Sequence, residues 1–116
     1  MSSWTKHTKE KNGIGDYQLK SEDYFSRSEF LEAYGPHVKI LGGYINSTAK
    51  HGAHPVIFAE TPDGVKGLSL TQSYTEQWKA IFNDPDDVAA IERGEATGEL
   101  VVRTSKSHGE YIAFNV

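Results

Sequence analysis

Two short stretches of this chain carry the same chemistry in the same order. Ser47-Thr48-Ala49-Lys50-His51-Gly52 leads into the apolar run Val56-Ile57-Phe58. Arg103-Thr104-Ser105-Lys106-Ser107-His108-Gly109 leads into Tyr111-Ile112-Ala113-Phe114. Each stretch offers hydroxyls, a Lys, a His and a Gly between two apolar segments. A Lys supplies a mobile cation for a phosphate. A His stacks or donates a hydrogen bond, and a Gly lets the backbone come close to a ligand. These residue types are also ordinary in hairpin loops. It is their paired placement that points to binding.

Aromatic residues are the second ingredient: two Trp, six Tyr and five Phe. Tyr74, Trp78 and Phe82 follow a helical spacing together with Ile81, and Phe114 alternates with Ile112 and Val116. These belong to a core. Tyr44 and Tyr111 differ. Each is next in sequence to a core-type residue, Ile45 or Ile112, so each points to the opposite face of its strand. A Tyr there can stack on an unpaired base, worth about 1–3 kcal/mol per base. The candidate ligand contacts are Tyr44, Asn46, Lys50, His51 and His54 on the first hairpin, Lys66, and Arg103, Lys106, His108 and Tyr111 on the last.

Catalytic signatures are missing. The chain has no G-x-S-x-G, P-loop or H-E-x-x-H pattern. It has no cysteine, which removes disulfides, thiolate catalysis and Cys-ligated metals. His51 and His54 have no third ligand placed by spacing, so neither a metal nor a cofactor is expected. Asp86-Asp87 read as acids in a first helical turn, and Gly13-Ile14-Gly15 follows no strand. The expectation is a protein without enzymatic activity.

The elements that position these residues come from periodicity. Period-two or continuous apolar patterns predict strands over 37–47, 55–60, 65–71, 99–105 and 111–116. Gly42-Gly43 predicts a bend or bulge within the first. Ser73 and Glu76 predict a capping box for a helix bearing Tyr74, Trp78, Ile81 and Phe82. Asp84-Pro85 predicts a second short helix that Gly94 ends. A short amphipathic piece lies within 16–36, with Ser28 as its N-cap and Gly35-Pro36 as its stop. The fold class is therefore mainly β with one helical insertion. The order matches an OB-fold, a five-stranded Greek-key barrel with its helix between strands three and four, plus an N-terminal extension. In that fold the two similar loops join strands 1–2 and 4–5 and flank a groove for oligonucleotides.

With 116 residues the chain makes one domain, placed at 16–116 behind a mobile, Lys-rich arm at 1–15. Trp4 on that arm reads as a clamp onto the protein or a neighbouring subunit. The net charge of −4 is uneven. Residues 72–100 carry seven acids against two bases, or −5, which leaves +1 for the rest. A positive groove elsewhere remains open. No apolar run approaches the roughly 18 residues of a membrane span. The polar first residues show no signal peptide, and the lack of cysteine fits a reducing cytoplasm.

The stretch from Val38 to Phe58, with Arg103-Thr-Ser-Lys-Ser-His-Gly-Glu-Tyr111, resembles the first and last hairpins of a known family. These are the small single-stranded-DNA-binding proteins of tailed phages of lactic acid bacteria and related Gram-positive hosts. The resemblance covers about Val38 to Val116 in order and spacing. It implies an OB-fold, sequence-tolerant binding of single-stranded DNA during phage replication or recombination, no enzymatic activity, and a homo-oligomer, dimer or tetramer. Strand one and the aromatic segment Trp4, Tyr17, Tyr24 and Phe25 are the expected interface. The implied location is the host cytoplasm, with replication or recombination proteins as further partners. This chain ends in a strand, without the acidic, Pro-containing tail of the cellular type. The alternative from another class is a small phage-type protein-binding module, an inhibitor of a host protein. It would use the acidic helical face of Asp84, Asp86, Asp87, Glu92 and Glu95.

Overall fold

A computed structural model describes residues 13–15, 17–47, 52–107 and 109–116. Residues 1–12 of the expected arm, with Trp4, lie outside the described residues. The chain is mainly β. Its strands are β1 (Gly13–Ile14), β2 (Tyr24–Phe25), β3 (His37–Asn46), β4 (His54–Thr61), β5 (Gly64–Ser69), β6 (Thr97–Ser105) and β7 (Gly109–Asn115). Its helices are α1 (Arg27–Tyr34), α2 (Thr75–Asn83) and α3 (Pro85–Glu92). The single sheet runs β2-β5-β4-β3-β6-β7 and curls into a half-barrel. Neighbours are antiparallel except β2, which pairs with β5 in parallel. β1 pairs with β3 through Gly13–Tyr44 and Ile14–Gly43, so the end of the expected arm joins the sheet.

The core fills the concave side. Val38, Ile40, Ile57, Leu68, Leu100 and Phe114 point inward, and Phe30, Trp78 and Ile91 cover them from the helices. The Trp78 ring stacks on Phe114 with centroids 6.1 Å apart and planes 8° from parallel. The predicted glycine irregularity is present, as the β3–β4 register slips between Ile40 and Gly42. The two glycines then serve opposite faces. A Cβ on Gly42 would collide with the Ile14 carbonyl, where the N-terminal segment crosses the convex side. A Cβ on Gly43 would sit 2.6 Å from the Val56 carbonyl and 3.0 Å from the Phe82 ring, inside the core.

Two predicted caps move. Ser26, not Ser28, caps α1: its Oγ accepts from the Glu29 amide at 3.2 Å, and the Ser26 amide donates to Glu29 Oε1 at 2.8 Å. Only Ser26 has an acid three residues on, so only Ser26 can close the reciprocal box. The Ser73–Glu76 box does not form. A 3₁₀ turn, Gln72–Tyr74, precedes α2 instead, and Tyr74 is the cap residue without a side-chain cap bond. A tertiary contact of the Tyr74 hydroxyl, described below, wins over local capping. Asp84 does cap α3, accepting from the amides of Asp86 at 2.8 Å and Asp87 at 3.3 Å. The helical insertion is thus two short helices, with a third helix ahead of the main strands.

Residues 13–15 and 17–25 lie along the convex face between the β3 edge and the β5 edge. Tyr17 packs edge-on against Phe58 at 5.1 Å, and Tyr44 lies against the same ring at 5.6 Å. Phe25 turns inward onto Phe30 and Tyr34. Of the aromatic residues expected at an oligomer interface, Tyr17 and Phe25 make contacts within their own chain, while Tyr17 and Tyr24 keep 40% and 36% exposure. No helix among the described residues is long and apolar enough to cross a membrane.

Candidate functional site

The curl ends at β7 on one side and at β5, extended only by the two residues of β2, on the other, and β5 and β7 do not pair with each other. Side chains from the helical segments bridge this seam. Arg27, the first residue of α1, donates from Nη1 to the Ile112 carbonyl at 2.6 Å and to the Tyr74 hydroxyl at 3.3 Å. Its guanidinium lies over the Tyr74 ring, 5.4 Å from the centroid. The Tyr74 hydroxyl also accepts from the Phe114 amide at 3.0 Å. The open edge of β7 is satisfied by side chains where a closing strand would otherwise be needed.

An open groove of about 810 Å³ runs along this seam. Gly52 and His54 border it from the first hairpin, and Glu110 and Tyr111 from the last. The stretch after β5 contributes Thr71 and Gln72, and α1 contributes Arg27 and Ser28. The buried Thr75 steadies the first hairpin, its Oγ1 donating to the Ala53 carbonyl at 2.9 Å. Val102 lies opposite Ile112 on the core-facing side of the last hairpin, yet is 58% exposed, because the core has ended there. The groove thus combines an apolar floor with hydroxyl, amide, imidazole and guanidinium groups.

The predicted contacts divide. His54 and Tyr111 line the groove. Tyr111 is 42% exposed, and Arg103 is its cross-strand partner, also exposed. Lys106 is exposed at the β6–β7 turn. Asn46 pairs with His54 across β3–β4. Tyr44 points away from the core, as alternation requires, but it does not line the groove. It is half-buried on the convex face, where burial first, and then a hydrogen bond with Tyr24, push its phenol up to about 12. The expectation that Tyr44 and Tyr111 share one groove is corrected accordingly.

Lys66 also stands apart. It is bonded to Asp23 at 2.7 Å, with both side chains largely buried. That hydrogen bond, with one from the Lys20 amide, holds the Asp23 carboxyl below its ordinary value, and it raises Lys66. Lys66 is committed within the chain. Lys50, His51 and His108 lie outside the described residues. Spacing missed Arg27, which belongs to a segment read only as a short amphipathic piece. The missed sign was the Ser26-Arg27-Ser28-Glu29 capping box, which puts Arg27 in a first helical turn.

Among the described residues, no group of three His, Cys, Asp or Glu is arranged to hold a metal ion. Of the acids on the helical face, Asp84 caps α3, and Glu95 pairs with Arg93 at 3.1 Å. Asp86, Asp87 and Glu92 are exposed. Comparisons with protein-family models, with curated proteins and with solved structures found no match to this chain.

Proposed function

We propose that this protein binds single-stranded DNA, without sequence preference and without catalysis, along the seam groove. The observation that carries the reading is that the two similar hairpins, read from sequence as one pair, border the same groove. The strand order supports it. Counting only β3 to β7, the order is 3-2-1-4-5, with the helices between the third and fourth strands. That order fits an OB-fold, and on this reading α1 bridges its seam. The chemistry supports it too. Tyr111 offers a ring and Arg103 beside it a cation, the pairing that single-strand binders use. The protein would coat single strands in phage replication or recombination, as a dimer or tetramer in the host cytoplasm.

The inhibitor alternative has less behind it, since Asp84 and Glu95 of its acidic face already serve local bonds. Titration with a fluorescent oligothymidylate at two salt concentrations tests the proposal. Binding that weakens with salt is expected. No binding at low salt overturns it.

A further inference from the structure

Among the described residues, Arg27 is a cation without a counter-ion. It is half-buried, and no carboxylate among the described residues forms an ion pair with it. Its two bonds both leave from Nη1 and both go to neutral oxygens, Ile112 O and Tyr74 Oη. Nη2 and Nε have no protein partner among the described residues. The Tyr74 ring holds the guanidinium plane. A partly desolvated charge is costly unless something of opposite sign approaches it. A fixed planar fork is the geometry that grips a phosphate by two hydrogen bonds.

The surroundings agree. Ser28, Ser69 and Gln72 line the groove beside Arg27 and carry side-chain donors. Among the described residues that line the groove, Glu110 is the one carboxylate, and it makes no ion pair with Arg27. We propose that Arg27 anchors one phosphate of the bound strand, which sets the strand's position so that Tyr111 meets a base. This rests on the single-strand reading above. It moves the main phosphate contact from the hairpin-loop lysines to the first residue of α1.

Three variants and one probe test it. Arg27→Gln should weaken oligothymidylate binding about tenfold or more. It should also lower the slope of log affinity against log salt by about one. Arg27→Lys should keep the slope and still lose affinity, because the charge remains and the fork does not. Ser28→Glu sets a carboxylate in the first turn of α1, which favours the helix and competes for the guanidinium. It should weaken binding even where the Arg27 variants prove too unstable to use. Arg27 variants that are folded and bind like the parent, or a parent-like Ser28→Glu, overturn the anchor and leave the single-strand reading standing. If the parent itself ignores oligothymidylate, the single-strand reading falls. Inorganic phosphate then tests the anchor alone: a shift of the Arg27 Nε–H resonance upholds it, and an unmoved resonance overturns it.

Discussion

Tyr74 and Phe114 are 40 residues apart and share one hydrogen bond, the Phe114 amide donating to the Tyr74 hydroxyl at 3.0 Å. One phenol thereby does for β7 what a neighbouring strand would do. Arg27 completes the same edge at Ile112. This seam is where the candidate groove lies, so the device that ends the sheet also builds the site.

Removing that hydroxyl isolates its contribution. Tyr74→Phe keeps the ring under Arg27 and orphans the Phe114 amide. A buried donor left without a partner costs about 1–3 kcal/mol. Denaturant unfolding should show a loss in that range, with faster hydrogen exchange at Phe114. An unchanged midpoint would mean that water reaches this edge and satisfies it.

The α1 cap separates two serines that are two residues apart. Ser26→Ala removes the acceptor for the Glu29 amide and breaks the reciprocal box, which should cost about 0.5–2 kcal/mol. Ser28→Ala touches only the Ser26 hydroxyl, at 3.2 Å, and should fall within about 0.5 kcal/mol of the parent. Equal losses in thermal unfolding would contradict the placement of the cap.

The Asp23–Lys66 pair gives stability a pH dependence whose sign follows from the shift. Asp23 is held below its ordinary value of 3.8, chiefly by the hydrogen bond from Lys66. A carboxyl whose folded pKa is lowered stabilises the fold above its unfolded pKa and loses that contribution as pH falls through the folded one. Asp23→Asn should therefore be less stable than the parent near neutrality, and the gap should close as pH falls below about 4. Glu29, lowered by its bonds to Ser26, adds to the same acid limb in both proteins. Unfolding midpoints between pH 2 and pH 7 check it, and a gap constant with pH would remove the pair from the account.

How much of this was legible depends on how local each cause is. The strands came from alternation that a few neighbouring residues define, and the glycine pair marked the register slip that lies just before it, between Ile40 and Gly42. The pairing of β1 and β2 did not, because each strand is two residues long and is held by the sheet it joins. Arg27 and Ile112 meet across 85 residues, and no short window carries that contact. Tyr44 shows the limit most clearly. Its outward direction follows from Ile45, but its cover follows from Tyr17 and Tyr24 crossing the convex face. Ser26 is the opposite case: the S-x-x-E pattern was present and marked the cap.

The two tyrosines read as a pair should respond in opposite ways. Tyr111 is exposed at the rim of the groove, opposite Arg103, so truncating it removes a stacking face and little packing. Tyr111→Ala should lower affinity for oligothymidylate by about 1–3 kcal/mol with stability nearly unchanged. Tyr44 is packed on Phe58, outside the groove. Tyr44→Ala should instead lower stability, while the folded fraction binds like the parent. Phe114→Ala calibrates the comparison, as a core cavity beneath Trp78 should cost roughly 3–5 kcal/mol of stability. The phenol itself gives an independent readout. With its pKa near 12, Tyr44 should be the late step in an ultraviolet titration of the six tyrosines, and Tyr44→Phe should remove that step. If Tyr44→Ala costs affinity at unchanged stability while Tyr111→Ala costs neither, the strand lies on the convex face and the seam groove is not the site.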